Sequence, residues 1–250
     1  MSDSLKEQED TRFRVSRRFV PGTRADASLG NTLNIVALGF DAGELFGVDL
    51  ASRAFVSVAT REHARHQDLG GELEREDDIR QHRIGGVYRL VVGHAQPIDA
   101  GRPEAVWSDE PPTRVGHVTR RALRRLCSQL EFAERAGTLV LGSRARSRSY
   151  ADLRPSDPSM ILIAPRPKSC RLFAESSART MLTFVWGGLE QSVLVHEPRV
   201  CAIARAHQDH LLQNEALRRA LGFRIGFALI VYGRVKDRYV EKVVVSLIRS

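Results

Sequence analysis

Two adjacent glycines constrain this chain more than any other feature. Arg179-Thr-Met-Leu-Thr-Phe-Val-Trp186 and Leu189-Glu-Gln-Ser-Val-Leu-Val195 are strand-like runs separated only by Gly187-Gly188. A two-residue Gly-Gly link favours a type I′ hairpin, because both turn positions need positive φ and glycine supplies it without steric cost. His196-Glu-Pro198 ends the second run. The same grammar appears upstream: Leu33 to Phe40, the turn Asp41-Ala-Gly43, Glu44 to Leu50, the turn Ala51-Ser-Arg53, and Ala54 to Ala59 form a three-strand meander. Such a meander is how an OB-fold or a similar small barrel begins. Gly86-Val-Tyr-Arg-Leu-Val-Val-Gly93 reads as a strand buried on both faces. Ser159 to Ala164 and Cys170 to Phe173 are short strands around Pro165-Arg-Pro167. Ile225 to Tyr232 and Tyr239 to Ile248 flank the charged turn Gly233-Arg-Val-Lys-Asp-Arg238.

Two stretches break the β pattern. From His117 to Glu134, Val118, Ala122, Leu123, Leu126, Leu130 and Ala133 recur at steps of three and four, the stripe of an amphipathic helix that Gly137 stops. Its other faces carry Arg120, Arg121, Arg124 and Arg125. Cys201 to Leu221 is helical in period, with Leu211, Leu212, Ala216, Leu217, Ala220 and Leu221 on its apolar face and Gly222 after it. Between the helices, past Thr138-Leu-Val-Leu141, Arg144, Arg146 and Arg148 fall at every second position. An extended backbone would point all three to one side.

The chain is therefore mainly β with two helices, and each half has the strands to close a small barrel. The expected division is a polar tail and short strand around Phe13, Val15 and Phe19 (1–30), a first OB-like barrel (31–113), a connecting basic helix (114–136), and a second OB-like barrel with an inserted helix (137–250). Thr60 to Arg83, broken by Gly70-Gly71 and carrying Glu72, Glu74, Glu76, Asp77 and Asp78, reads as an exposed loop or short helix. Gly101 to Pro112 reads as a loop around Ala105, Val106 and Trp107.

Charge is distributed unevenly. Residues 1–110 hold 14 basic and 19 acidic side chains, a net of −5, whereas residues 111–250 hold 24 and 11, a net of +13. A basic surface attracts phosphate-bearing partners, and it serves equally as a solvated face or a contact for an acidic protein. Cys127, Cys170 and Cys201 are odd in number and in no CxxC arrangement, which argues against a disulfide framework or a cysteine zinc site and for a reducing compartment. No run approaches the roughly 18 apolar residues of a membrane span, and Met1 to Thr11 lacks the apolar core of a signal peptide. The expectation is a cytoplasmic protein with no membrane partner.

Three stretches resemble the dual OB-containing domain family. Asn34-Ile-Val-Ala-Leu-Gly with Leu45-Phe-Gly-Val-Asp-Leu and Ala54-Phe-Val-Ser-Val is similar to that family's opening strands. Thr183-Phe-Val-Trp-Gly-Gly-Leu-Glu-Gln with His196-Glu-Pro resembles its aromatic hairpin and stop. Ala228-Leu-Ile-Val with Glu241-Lys-Val-Val-Val-Ser-Leu-Ile248 resembles its closing strands. Ser57-Val58 stands where that family usually carries arginine-proline, and His66-Gln67 comes early. The resemblance implies two OB-like barrels and nucleic-acid binding.

Arg120, Arg121, Arg124, Arg125, Arg144, Arg146 and Arg148 are the candidate phosphate contacts, since a guanidinium grips a phosphate with two parallel hydrogen bonds. Tyr150 and Trp186 are candidate stacking aromatics, against the plainer expectation that Phe184 and Trp186 line the core. The pairs His207/His210 and His63/His66 have a metal-compatible spacing but too few partners, so no metal and no cofactor is assigned. No GxSxG, HExxH, Walker A or GxGxxG is present, and no catalytic residue is named. The expected function is non-enzymatic nucleic-acid binding through an arginine-rich surface. The alternatives are a scaffold in which the acidic and basic halves face each other or meet an acidic protein, and a metal-dependent enzyme using His207 and His210.

Overall fold

The computed structural model describes residues 11–13, 28–41, 43–60, 83–94, 103–154, 157–176 and 179–250. Most of the tail, the acidic cluster Glu72 to Asp78, and His63 and His66 lie outside the described residues.

The first half closes a five-stranded barrel. Strands β2 (Thr32–Asp41), β3 (Glu44–Asp49) and β4 (Phe55–Thr60) form the expected meander. β5 (Gly86–His94) returns beside β2, and β6 (Ala105–Ser108) pairs in parallel with β4 and antiparallel with β5, which closes the ring. Meander strands one, two and three, then five, then four back to one, is the Greek-key order of an OB-fold. After the break at Pro111-Pro112, β7 (Thr113–Val118) takes the remaining edge of β5, and β1 (Thr11–Phe13) pairs in parallel with β7.

The second half repeats the order with one interruption. β10 (Arg171–Ala174), β11 (Thr180–Trp186) and β12 (Leu189–Val195) form an antiparallel meander. β12 then pairs in parallel with β15 (Tyr239–Arg249), and β15 pairs antiparallel with β14 (Ile225–Lys236). β14 meets β9 (Met160–Ile163) instead of β10. Because β9 and β10 are consecutive and separated by Pro165-Arg-Pro167, they act as the two halves of one broken first strand, and the chain itself closes the ring. Proline cannot donate to a sheet ladder, which explains the break. β8 (Ser147–Ser149) pairs with β15. At the hairpin, Gly187 and Gly188 hold φ of 64° and 79°, as a type I′ turn requires.

Among the described residues, three α-helices interrupt the strands. α1 (Arg120–Leu130) is shorter than the stripe suggested, because His117 and Val118 finish β7 and Glu131 leaves the helix. The expected helix from Cys201 to Leu221 is two: α2 (Pro198–Ala206) and α3 (Asn214–Leu221). Between them β13 (Leu212–Gln213) pairs with β10, and Leu211, expected on the apolar face, is exposed. An edge strand of the barrel takes Leu212 at the cost of helix continuity, a tertiary override of local periodicity.

The apolar side chains sort into three clusters. Ile35, Ala37, Leu45, Val56, Val58, Tyr88 and Leu90 fill the first barrel. Leu172, Leu182, Phe184, Trp186, Val193, Ile230 and Val244 fill the second, covered by Val200 of α2 and Leu217 of α3. The third lies between the barrels, where Val36, Leu38 and Phe46 meet Leu162, Leu229, Val243 and Val245. The strands at this junction are therefore apolar on both faces. Gly39 permits the approach, since a Cβ there would stand 3.0 Å from Val245 Cγ2. Two polar links cross the same junction: His196 Nδ1 lies 2.9 Å from Asp41 Oδ2, and Ser159 Oγ donates to Glu104 Oε2 at 2.5 Å.

Candidate nucleic-acid interface

α1 is fixed before its arginines are considered. Thr119 Oγ1 accepts a hydrogen bond from Ala122 N at 3.2 Å, capping the first turn. Leu126, Cys127 and Leu130 enter the cluster between the barrels, with Ala122 and Leu123 packed against it. Each fully buried leucine contributes about 1.5–3 kcal/mol, so the inner face clamps the helix. The outer face then presents Arg120, Arg121 and Arg124 to solvent, with Arg125 half-buried beside them. No ion pair joins these four arginines to a carboxylate among the described residues.

The second arginine segment is arranged differently. Only Ser147–Ser149 is extended, so Arg144, Arg146 and Arg148 do not form one projecting row. Arg144 is exposed. Arg146 Nη1 pairs with Glu175 Oε1 at 2.9 Å. Arg148 Nη1 pairs with Asp157 Oδ2 at 2.9 Å, its Nη2 donates to Asp152 O at 2.6 Å, and it also hydrogen-bonds Tyr232. Tyr232 in turn donates to Leu141 O at 2.6 Å, and Lys242, only 2 % exposed, donates Nζ to Ser143 O. Burial, helped by the nearby Arg148 charge, brings the Lys242 pKa down to about 8. Arg148 also lines an open cavity with Ala151, Asp152, Arg154 and Asp157, in which cations and carboxylates balance. This segment is a polar buttress against β14 and β15, with most of its charge already answered.

The two candidate aromatics differ in exposure. Trp186 is 0 % exposed in the second barrel, so it offers no face to a base, a correction to its place among the stacking candidates. Position next to the glycine turn did not expose it, because residues 134–138 lie over that turn. Gly187 N donates to Glu134 Oε1 at 3.0 Å and Gly137 N to Gly187 O at 2.8 Å. Tyr150 is half-buried against the same core. The exposed aromatic near the basic helix is Phe132, which the periodicity placed inside the helix and which no motif marked.

The remaining chemistry-bearing groups among the described residues are buried or already partnered. Burial raises the Cys127 and Cys170 thiols to about 12, and raises Cys201 as well, whereas a nucleophilic cysteine needs the opposite shift. Burial also lifts Glu197 to about 7, against the pull of the Leu247 N–H and Arg199, and its carboxylate is occupied at 2.7 Å by Leu247 N. His207 and His210 lie in the turn after α2 and not one helical turn apart; His207 Nδ1 meets Ile203 O at 2.9 Å. No grouping of three or more metal-ligating side chains exists among the described residues.

No protein-family model matches the sequence, and no curated protein matches it either. Among solved structures, the crystal structure of the tetrameric p202 HIN2 is similar at 10% identity, over 91% of this chain and 95% of that one, with a TM-score of 0.31. The OB-like strand order is this chain's own.

Proposed function

We propose that this chain is a non-enzymatic nucleic-acid-binding protein that holds phosphates with the arginines of α1. The carrying observation is that Arg120, Arg121 and Arg124 project from a helix clamped between two barrels, unpaired with any described carboxylate. The helix backbone beneath them is already fixed, so gripping an anion orders only the side chains. Their position adds to the argument. Arg120 and Arg121 stand in the first turn, where the helix dipole is already positive and where no acidic residue offsets it. Each cation there costs roughly 0.3–1 kcal/mol of helix stability, and the same field favours a bound anion. Arg144 adds a further exposed charge, while Arg146 and Arg148 contribute mainly to the fold.

Fluorescence anisotropy of labelled oligonucleotides tests this. The wild type should bind with an affinity that falls steeply with salt, and R120A/R121A/R124A should lose most of that binding while melting like the wild type. Binding indifferent to salt, or retained by the triple variant, contradicts the proposal. An acidic protein captured by α1 in the absence of any oligonucleotide affinity would replace it with the scaffold alternative.

A further inference from the structure

Just beyond α1 the chain holds an aromatic ring that covers the second barrel's Trp186 on one side and opens to solvent on the other. Phe132 is 47 % exposed, although its backbone is fixed: its N–H donates to Leu162 O at 2.8 Å, extending the edge of β9. The ring lies over the buried Trp186 indole, with centroids 6.0 Å apart and planes tilted by 45°. One side of Phe132 thus has an aromatic floor and nearly half of its surface remains open. Charges of both signs flank it, Glu131 and Glu134 with Arg135 and Arg166, and Glu134 is engaged. Arg135 is exposed, Arg166 reaches Glu134 Oε1 at 3.0 Å, and the same carboxylate oxygen accepts from Gly187 N. Burial and the Glu134 charge raise the Glu131 pKa. Along α1 the exposed positions Arg120, Arg124 and Ser128 follow at steps of four, leading to the helix end beside Phe132. At a rise of 1.5 Å per residue, Arg124 lies about 9 Å before the helix end at Leu130.

We infer that Phe132 is a stacking seat for an unpaired nucleobase, and hence that the ligand of α1 is single-stranded. This rests on the proposed phosphate grip and adds its substrate class. A backbone-tracking row of cations that ends at an exposed, rigid aromatic ring is the composition by which proteins bind single strands, since every base has a π-face and a base paired in a duplex does not offer it. Phe132 supplies the stacking surface, Trp186 holds the ring from below, and Arg120, Arg121 and Arg124 hold the phosphates.

The test uses the full chain with three labelled probes: a single-stranded oligonucleotide, the same strand made abasic, and the corresponding duplex. F132L keeps apolar cover over Trp186 and removes the π-face. It should weaken single-strand binding by about 5- to 100-fold, leave abasic binding and the salt slope unchanged, and reduce the preference over duplex. F132W should retain the affinity, and its added indole emission should be quenched by the single strand and not by the abasic one. Equal single-strand affinity of F132L and wild type, or an unquenched F132W, overturns the stacking seat while the arginine grip stands. Failure of the wild type to bind any of the three probes overturns both.

Discussion

Two arginine-rich segments, close together in sequence, come to opposite ends in this fold. On α1 the guanidinium groups stand on the far side of a helix whose near side is buried, so that packing spends the leucines and leaves the charge free. In the segment from Arg144 to Arg148 the charge itself is spent: Arg146 meets Glu175, and Arg148 meets Asp157, Asp152 O and Tyr232. Composition is the same and availability is not. The difference lies in backbone geometry. An amphipathic helix segregates its apolar and charged faces, whereas a short irregular segment lying along β15 must satisfy its polar groups against the sheet it crosses.

The largest expected effect attacks the clamp beneath the free arginines. Leu126→Ala removes a fully buried side chain from the cluster between the barrels and should cost about 2–5 kcal/mol. Chemical denaturation would measure it, and a change below about 1 kcal/mol would show that α1 is not anchored there. Next comes the contrast between the segments themselves. Arg148→Ala breaks a partly buried network and should cost about 1–3 kcal/mol, several degrees in melting temperature. Arg124→Ala, exposed and unpaired, should stay within about 0.5 kcal/mol of the wild type. Equal melting shifts would erase the distinction.

Two smaller effects depend on pH. Burial and the Arg148 charge depress the Lys242 pKa to about 8. The folded chain therefore gives up this proton before the unfolded chain does, and stability should rise between about pH 8 and the ordinary lysine value. Lys242→Met should flatten that rise. At the barrel junction, burial is the largest influence on His196 and lowers its pKa, but the hydrogen bond and charge of Asp41, with Glu241, outweigh it and leave the value raised. The stabilisation is thus full below the unfolded histidine value and lost as pH rises through the folded one. Glu197, raised by burial to about 7, acts in the same direction, favouring the fold when protonated. Melting temperature should accordingly drift down from pH 5 to 7.5, and Asp41→Asn should remove the His196 share, on the order of 1 °C because the imidazole is partly exposed. An upward drift would contradict both assignments.

Much of the architecture was legible because it is written in local chemistry. The meander from Leu33 to Ala59, the Gly187-Gly188 hairpin and the closing strands each follow from turn residues and short apolar runs. The run Ile35 to Leu38 is apolar at consecutive positions, and the structure supplies the reason at the junction: Ile35 and Ala37 line the first barrel while Val36 and Leu38 face the second; the strand at Val87 to Val92, expected to be buried on both faces, instead exposes Arg89 and Val91. The split between α2 and α3 was not legible, since Leu212 leaves the helical pattern for a partner strand, β10, far away in sequence. The fate of the arginines was hidden for a related reason. Nothing near Arg146 announces Glu175, and nothing in the alternation of Phe184 and Trp186 says that residues 134–138 will cover the turn and leave Phe132 as the open ring.

The most direct measurement compares salt dependence in two triple variants against the same labelled single strand. For R120A/R121A/R124A, the slope of log affinity against log salt should fall by about 2 units relative to the wild type, at about 0.7 per released phosphate contact. For R144A/R146A/R148A, it should change by less than one unit while the melting temperature drops. A reversal, with the slope lost from the second variant and kept by the first, would mean that the phosphate grip lies in the buttress and not on the helix.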